Sequence, residues 1–326
     1  MTTGSSGTPA VVAEELSKHF GPTVAVDKVS LTVGTGELFG LIGSDGSGKT
    51  TLFRMLTTLM VPTSGTAAVL GRDVVKELWA LRQRVGYMAG RFSLYPDLSV
   101  EENLRFFASV FGTTIEREMA QIEPIYTQIE PFKSRRASAL SGGMKQKLAL
   151  CCALVHRPEI LFLDEPTTGV DAVSRREFWD LLGTLKASGL TIVVSTPYMD
   201  EAVRCDRVAL MQHGRIMAVD TPAAVTRSFD RPMFTVRAVD RHRLLKLVRQ
   251  YPGTHSAYPF GEVLHYTDRK VEGPAAPVGQ ALAAWLGGQG LAGVEVLEAE
   301  PTIEDVFIAR MGAPEAPPET GGSHAA

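Results

Sequence analysis

The stretch GSDGSGKTT, residues 43–51, constrains the fold of this chain more than any other segment. It matches the pattern G-x-x-x-x-G-K-[ST], follows an apolar strand-like run and precedes a helix-like segment. Its glycines let consecutive backbone N–H groups point at phosphate oxygens, and a helix N-terminus adds partial positive charge. A Gly/Ser-rich turn with a surface lysine would explain only a shorter match. We therefore predict a P-loop in which Lys49 bridges the β- and γ-phosphates and the Thr50 hydroxyl ligates Mg²⁺. The predicted nucleotide-binding residues of this loop are Gly43, Ser44, Asp45, Gly46, Ser47, Gly48, Lys49, Thr50 and Thr51.

Three apolar stretches, residues 37–43, 159–166 and 191–196, each end in a polar or glycine-rich tip. Such runs are typical of buried parallel strands, and helical periodicity lies between them, which predicts an α/β fold with a mostly parallel sheet. Ligands bind at the carboxyl ends of the strands in such sheets, so Asp164 and Glu165 are predicted site residues. Asp164 suits Mg²⁺, directly or through water, and Glu165 suits polarising the attacking water.

Composition excludes few functions. The chain has 326 residues, 44% of them apolar, and a formal charge of −3, which gives no overall electrostatic footprint for nucleic acid. No apolar run approaches the roughly 18 residues of a spanning helix, and the N-terminal MTTGSSGTPA does not resemble a signal peptide. Cys151, Cys152 and Cys205 have no metal-ligand spacing. We interpret them as core thiols of a protein in a reducing compartment.

Helical and strand patterns predict two further regions. Ser99 and Glu102 fit a capping box, and apolar residues recur on one face of the segments 99–111 and 141–155, which predicts core-facing helices. After about residue 228 the pattern reads strand, helix, hairpin, helix, strand and a last helix. This βαββαβ order predicts a small ferredoxin-like α+β domain.

The motif LSGGMKQK, residues 140–147, is by itself compatible with a serine N-cap followed by glycines. However, a P-loop, then LSGGM, then LFLDEPTTGVD, with 23 residues from Ser141 to Asp164, resembles the nucleotide-binding domain of ABC transporters. The resemblance covers roughly residues 10–228. The closing PTIEDVFIARM is similar to the C-terminal domain of cassettes from drug- and polysaccharide-type exporters.

The resemblance implies a P-loop NTPase cassette with a helical subdomain that uses ATP and Mg²⁺ as cofactors. Two cassettes would dimerise head to tail, with each ATP held between one subunit's Walker motifs and Ser141, Gly142 and Gly143 of the other. Phe20 stands where the family has an aromatic residue that stacks on adenine, and an ordinary strand-end core aromatic is the alternative. Asp171, in TTGVD, matches the loop that couples the two sites.

The same resemblance implies the partners and the domain organisation. Residues 91–104 resemble the segment that meets the coupling helix of a membrane subunit. We therefore expect transmembrane subunits and a second cassette as partners, a peripheral location on the cytoplasmic face of the cell membrane, and no nucleic acid. The expected segments are a disordered tail over 1–10, the cassette over 11–228 with its helical subdomain at about 91–157, the α+β domain over 229–313 and a disordered tail over 314–326.

Two positions depart from the family pattern. Gly90 stands where the family has a glutamine that contacts Mg²⁺ and water, and Pro197 where it has a histidine that contacts the γ-phosphate. Neither residue has a side chain able to do this. Loss of a positioned catalytic group costs on the order of 10²–10⁴ in rate. Hydrolysis should therefore be weakened while ATP binding persists through Lys49, Thr50 and Asp164, unless these two positions reflect neutral drift or a sequence error.

The predicted function is an ATP-binding subunit of an ABC exporter whose own site hydrolyses ATP slowly and which pairs with a second, intact cassette. A fully active homodimeric ATPase, in which Glu165 suffices for hydrolysis, is the alternative. A soluble ABC protein acting on ribosomes or DNA is a further alternative, but the sequence has neither tandem cassettes nor long coiled-coil insertions.

Overall fold

A computed structural model describes residues 8–91, 93–270 and 274–312 of the chain. These residues form two compact units that divide between Pro222 and Ala223, earlier in the chain than the boundary expected at 228. The tails predicted as disordered lie largely outside the described residues. Ala10 is an exception, because it is buried and its backbone pairs with Val33 and Leu70.

The first unit contains two sheets, as far as the chain is described. One sheet is antiparallel and has the strand order β2-β1-β4-β5. The other has the order β10-β9-β3-β8-β7-β6 and is parallel except for the antiparallel pair of β10 and β9 at one side. The strands are β1 Val11–Phe20, β2 Thr23–Val33, β3 Leu38–Ile42, β4 Ser64–Val69, β5 Arg72–Asp73, β6 Val85–Met88, β7 Ile160–Asp164, β8 Thr191–Thr196, β9 Arg207–Gln212 and β10 Arg215–Asp220.

The three strands predicted from apolar runs, β3, β7 and β8, are buried along their whole length. They are neighbours in the sheet, and their register pairs Ile42 with Thr196 and Asp164 with Ser195. Because the strands are parallel, these ends lie at one edge of the sheet. The predicted α/β architecture is confirmed, and its strand ends carry the candidate site.

Helices cover this sheet and form the predicted helical region. The edge-to-face contact of Phe53 and Phe162, with ring centroids 5.5 Å apart, packs the helix after the P-loop against β7. The capping box of Ser99 and Glu102 is confirmed by both of its hydrogen bonds. The cysteines are buried free thiols, as expected. The helices of this part are α1 Lys49–Leu56, α2 Leu78–Arg82, α3 Val100–Val110, α4 Ile115–Tyr126, α5 Gly142–Leu154 and α6 Ala172–Ala187. A further helix, α7 Pro222–Arg227, begins at the division between the units.

The second unit is an antiparallel sheet of order β12-β13-β11-β14, which has the βαββαβ chain order of a ferredoxin-like fold. Its core includes Phe234, Tyr266 and Leu282. No helix in the described parts of the chain combines the length and apolarity needed to cross a membrane. The elements are β11 Met233–Arg237, α8 Arg241–Gln250, β12 Thr254–Phe260, β13 Val263–Asp268, α9 Ala275–Gly288, β14 Glu295–Ala299 and α10 Ile303–Gly312.

Candidate functional site

The P-loop connects the end of β3 to the start of α1. Its first residue, Gly43, donates its backbone N–H to the carbonyl oxygen of Thr196 at 3.3 Å, which fixes the loop against β8. Gly48 directly precedes the helix and has a φ of 106°, a backbone conformation that residues with a side chain rarely adopt. The loop therefore has the strand–turn–helix geometry that phosphate binding requires.

Lys49 is almost fully buried at the first turn of α1. Its Nζ donates hydrogen bonds to the carbonyl oxygens of Gly43 at 2.8 Å and Ser44 at 3.0 Å. The same ammonium group lies 3.2 Å from Oε1 of Glu165. A buried cation placed between the loop and the predicted catalytic carboxylate suits the charge of a triphosphate.

Asp164 ends β7 and is buried. Its Oδ1 accepts hydrogen bonds from Thr50 Oγ1 at 3.1 Å and from Ser195 Oγ at 2.7 Å, and Tyr87 lies 3.5 Å from Oδ2. Burial, followed by the Asp164 charge, raises the pKa of Tyr87 to about 12, so the phenol stays protonated at neutral pH. A carboxylate beside a hydroxyl fits Mg²⁺, which prefers one or two protein oxygens together with substrate phosphates.

Glu165 has a φ of 51°, which is uncommon for a residue with a side chain. Its backbone N–H is held by both the carbonyl oxygen and the hydroxyl of Ser195, at 3.0 and 3.1 Å. The left-handed turn directs the chain away from the strand immediately after Asp164. Strained backbone of this kind persists only where neighbouring groups fix it, and it is frequent at functional sites.

The two atypical positions flank this pair of carboxylates. A side chain at Gly90 would begin 2.9 Å from the carbonyl oxygen of Asp164 and 3.7 Å from Cβ of Glu165. Pro197 directly follows Thr196, whose carbonyl oxygen is bonded to the P-loop at Gly43. The structure thus places Gly90 and Pro197 at the edge of the sheet that carries the P-loop and the carboxylates.

Ser141, Gly142 and Gly143, which are predicted to contact the ATP bound by a second cassette, lie at the start of α5. Ser141 is the N-cap of that helix and accepts the N–H of Met144 at 3.3 Å, so the structural interpretation of this serine also holds. A Cβ at Gly143 would lie 2.7 Å from the Ser174 side chain, and one at Gly142 would lie 3.6 Å from the carbonyl oxygen of Gly169. The absence of a side chain at Gly143 therefore allows α5 to approach α6 closely, whereas a Cβ at Gly142 would make only an ordinary van der Waals contact.

Asp171 caps α6, accepting the backbone N–H groups of Val173 and Ser174 at 3.1 and 3.0 Å. The hydrogen bond from Ser174 lowers the pKa of this exposed carboxyl most. The ordinary role of an N-cap thus accompanies the coupling role that the family resemblance implies.

Phe20, the predicted adenine-stacking residue, ends β1 and is 49% exposed. Lys18 Nζ lies 5.4 Å from the centre of its ring. An aromatic ring this exposed is not a core residue, so the alternative interpretation loses its support. Of the other P-loop residues, Asp45 and Gly46 are exposed, Ser44 and Thr51 are half-buried, and Ser47 is buried.

Two residues of the site, Ser195 and Tyr87, were missed by sequence reasoning. Ser195 lies in the predicted strand that ends beside Pro197, and its position at the polar end of an apolar run was the available signal. The sequence does not indicate a site role for Tyr87, because an aromatic residue in a short strand is typical of the hydrophobic core.

Comparison with known proteins agrees with this geometry. Residues 26–168 match the sequence family described as ABC transporter. The chain is 47% identical over 224 residues to the probable multidrug ABC transporter ATP-binding protein YbhF of Escherichia coli, covering 67% of this chain and 38% of YbhF. It is 34% identical over 312 residues to the Nod factor export ATP-binding protein I of Mesorhizobium japonicum, covering 94% and 88% of the two chains. The chain belongs to the ABC transporter family.

The chain also resembles solved structures of cassettes of this family. The chain matches cbiO1 of Clostridium perfringens, part of an ABC transporter complex, with a TM-score of 0.61 and 25% identity over 75% of this chain and 96% of that one. It matches a dimeric ATP-binding cassette in a post-hydrolysis state with ADP and phosphate, with a TM-score of 0.59 and 25% identity over 65% and 98%. The predicted cassette fold and family are confirmed.

Proposed function

We propose that this chain is the ATP-binding subunit of an ABC exporter, that it binds ATP with Mg²⁺ through its P-loop, and that it hydrolyses this ATP slowly. A second cassette with complete catalytic residues would carry most of the turnover. The motif Ser141–Gly143 of this chain would complete the second cassette's site. The single observation that carries the proposal is the placement of Gly90 and Pro197 beside otherwise intact nucleotide-binding residues.

The binding residues support retained affinity for ATP. Lys49, Thr50 and Asp164 lie within 3.2 Å of their partners at the end of the sheet, and α1 starts directly after the loop. Thr50 and Asp164 would hold Mg²⁺, whose role when bound is to neutralise phosphate charge. Around it, Lys49 orients the phosphates and Glu165 holds the proton of the attacking water.

The missing side chains support slow hydrolysis. In the proposed site Gly90 has no side-chain amide to orient water, and Pro197 has neither an imidazole proton to donate nor a backbone N–H. A strand end is a place where proline is tolerated, since the ladder no longer needs that N–H. The fold of the site is therefore compatible with reduced chemistry.

The transport setting rests on the relatives. The relatives named above are described as a probable multidrug ABC transporter ATP-binding protein and a Nod factor export ATP-binding protein. The second description favours an exporter and, by analogy, transmembrane partner subunits, with this chain at the cytoplasmic face of the membrane. The matched region spans less than two fifths of the length of YbhF. Purification of the chain from its native membrane should recover membrane subunits and a second cassette. Recovery of ribosomes or DNA would contradict the assignment.

Restoring the histidine should raise turnover. We expect Pro197→His to increase the kcat of the purified chain by about tenfold or more, because a positioned proton donor is worth on the order of 10²–10⁴. The affinity for ATP should stay near the wild-type value, since the P-loop is untouched. Steady-state phosphate release and binding of a fluorescent ATP analogue measure the two quantities.

Two controls sharpen this experiment. Pro197→Ala removes the ring without adding an imidazole and should leave kcat low. Gly90→Gln is best added second, since its Cβ would lie 2.9 Å from the Asp164 carbonyl oxygen and the segment must shift to accept it. High wild-type turnover that neither substitution changes would refute slow hydrolysis at this site.

The active homodimer remains the second candidate because Glu165 is held in place by Lys49 and Ser195. If it is correct, wild-type turnover is already high and falls steeply in Glu165→Gln. A low wild-type rate excludes it.

A further inference from the structure

Ser195, on β8, forms hydrogen bonds with both acidic residues of the candidate site, Asp164 and Glu165. It is fully buried, and the sheet register sets it opposite Asp164 on β7. A buried hydroxyl must find hydrogen-bond partners, and those it finds are at the centre of the site.

The Ser195 hydroxyl uses both of its functions. It donates to Oδ1 of Asp164 at 2.7 Å and accepts the backbone N–H of Glu165 at 3.1 Å. A serine hydroxyl has one proton to donate, so Asp164 receives it and the donor capacity is filled. One side chain therefore connects the proposed metal ligand to the backbone of the proposed catalytic base.

Both attachments act on groups whose orientation matters. The bond to Oδ1 restricts rotation of the Asp164 carboxylate, which must direct an oxygen at the cation. The hydrogen bonds that the Glu165 N–H donates to the hydroxyl and carbonyl oxygens of Ser195 hold the turn at a φ of 51°. Ser195 lies on β8, and Gly90 follows β6 on the other side of β7. Because Gly90 has no side chain, the orientation of the two acidic residues depends more on Ser195.

We propose that Ser195 is a positioning residue for Mg²⁺ binding by Asp164 and for the orientation of Glu165. The inference rests on the proposed function, in which Asp164 and Thr50 hold the cation. Residues that hydrogen-bond a metal ligand typically change metal affinity or activity by about 10–100-fold when they are removed.

Substitution of Ser195 should change the Mg²⁺ requirement of nucleotide binding. In Ser195→Ala we expect the Mg²⁺ concentration for half-maximal binding of a fluorescent ATP analogue to rise about tenfold. Binding of the analogue in EDTA should be unchanged, because Lys49 and the loop amides are intact. Ser195→Thr keeps the hydroxyl and should restore the wild-type Mg²⁺ dependence.

A control on the same strand separates positioning from loss of stability. Thr191 is also buried in β8, where its Oγ1 accepts the N–H of Gly36 at 2.9 Å, remote from the site end of the strand. Thr191→Val should lower the melting temperature without moving the Mg²⁺ titration. An unchanged Mg²⁺ titration in Ser195→Ala, or equal impairment of Ser195→Thr, would overturn the inference. Failure of the wild type to bind the analogue would instead overturn the proposed function.

Discussion

Replacing Gly48 by alanine is expected to abolish ATP binding, lowering the affinity by more than about 100-fold. This residue has a φ of 106°, where an added side chain is strained, and its Cβ would collide with the carbonyl oxygen of Ala25 and lie 2.9 Å from Cε of Met211. If the P-loop shifted to relieve these contacts, Lys49, which directly follows Gly48, would shift with it. Binding of a fluorescent ATP analogue measures the loss.

Gly71 offers the matched control for this substitution. It also has a left-handed φ, 72°, but a Cβ there would meet no atom within 4 Å. Gly71→Ala therefore isolates the backbone strain, about 1 kcal/mol, and should leave ATP binding intact. Equal losses of binding in the two variants, or normal binding by Gly48→Ala, would show that crowding at the P-loop is not what requires glycine.

The cassette fold could be predicted from the sequence because each predicted strand ends directly at a motif, so that the motifs lie at the same edge of one sheet. Apolar runs lead directly into the P-loop, Asp164 and Pro197, so chain order alone indicates that these groups converge. The distances among them depend on strand register, which pairs Asp164 with Ser195 and cannot be read from local patterns.

The site roles of Ser195 and Glu165 depend on contacts between strands, which local sequence patterns also do not determine. The hydroxyl of Ser195 gains its role only when β7 and β8 are neighbours, and the left-handed turn at Glu165 is a tertiary result. The apolar residues that recur on one face of the segment 99–111 are not all buried to the same extent. Val100 and Leu104 are buried, but Phe107 and Phe111 are half-buried, and Phe111 stacks on His156. Periodicity gives the face of a helix, but not how deeply each residue enters the core.

Replacing Asp305 by asparagine is expected to destabilise the second unit by about 3 kcal/mol. This carboxylate is buried at the start of α10, inside the closing motif PTIEDVFIARM. It contacts His265 Nδ1 at 2.6 Å, accepts the N–H of Thr302 at 2.6 Å, and accepts the hydroxyl of Tyr258. Asparagine keeps the shape but turns a donor towards groups that need an acceptor.

Acid should remove this stabilisation. Burial opposes ionisation of Asp305, but the hydrogen bonds from His265, Thr302 and Tyr258 outweigh it and lower the pKa of the carboxyl. A lowered native pKa stabilises the fold at pH values above the unfolded pKa of about 3.9, and this contribution is lost as the pH falls through the native pKa. The stability gap between wild type and Asp305→Asn should therefore be constant near neutral pH and shrink below about pH 4.

Calorimetric unfolding of the full chain, with hydrogen exchange across α10 and β13, tests the prediction. Exchange should accelerate in those elements in Asp305→Asn. The matched control is Glu304→Gln, which makes the same chemical change at the preceding, half-buried carboxylate and should cost little. Binding of ATP should survive in both variants because the nucleotide site is built from the first unit. Equal stability of the two variants would mean that the contacts of Asp305 with β12 and β13 do not stabilise the position of α10. The aspartate of the closing motif would then not be required for the fold of this unit.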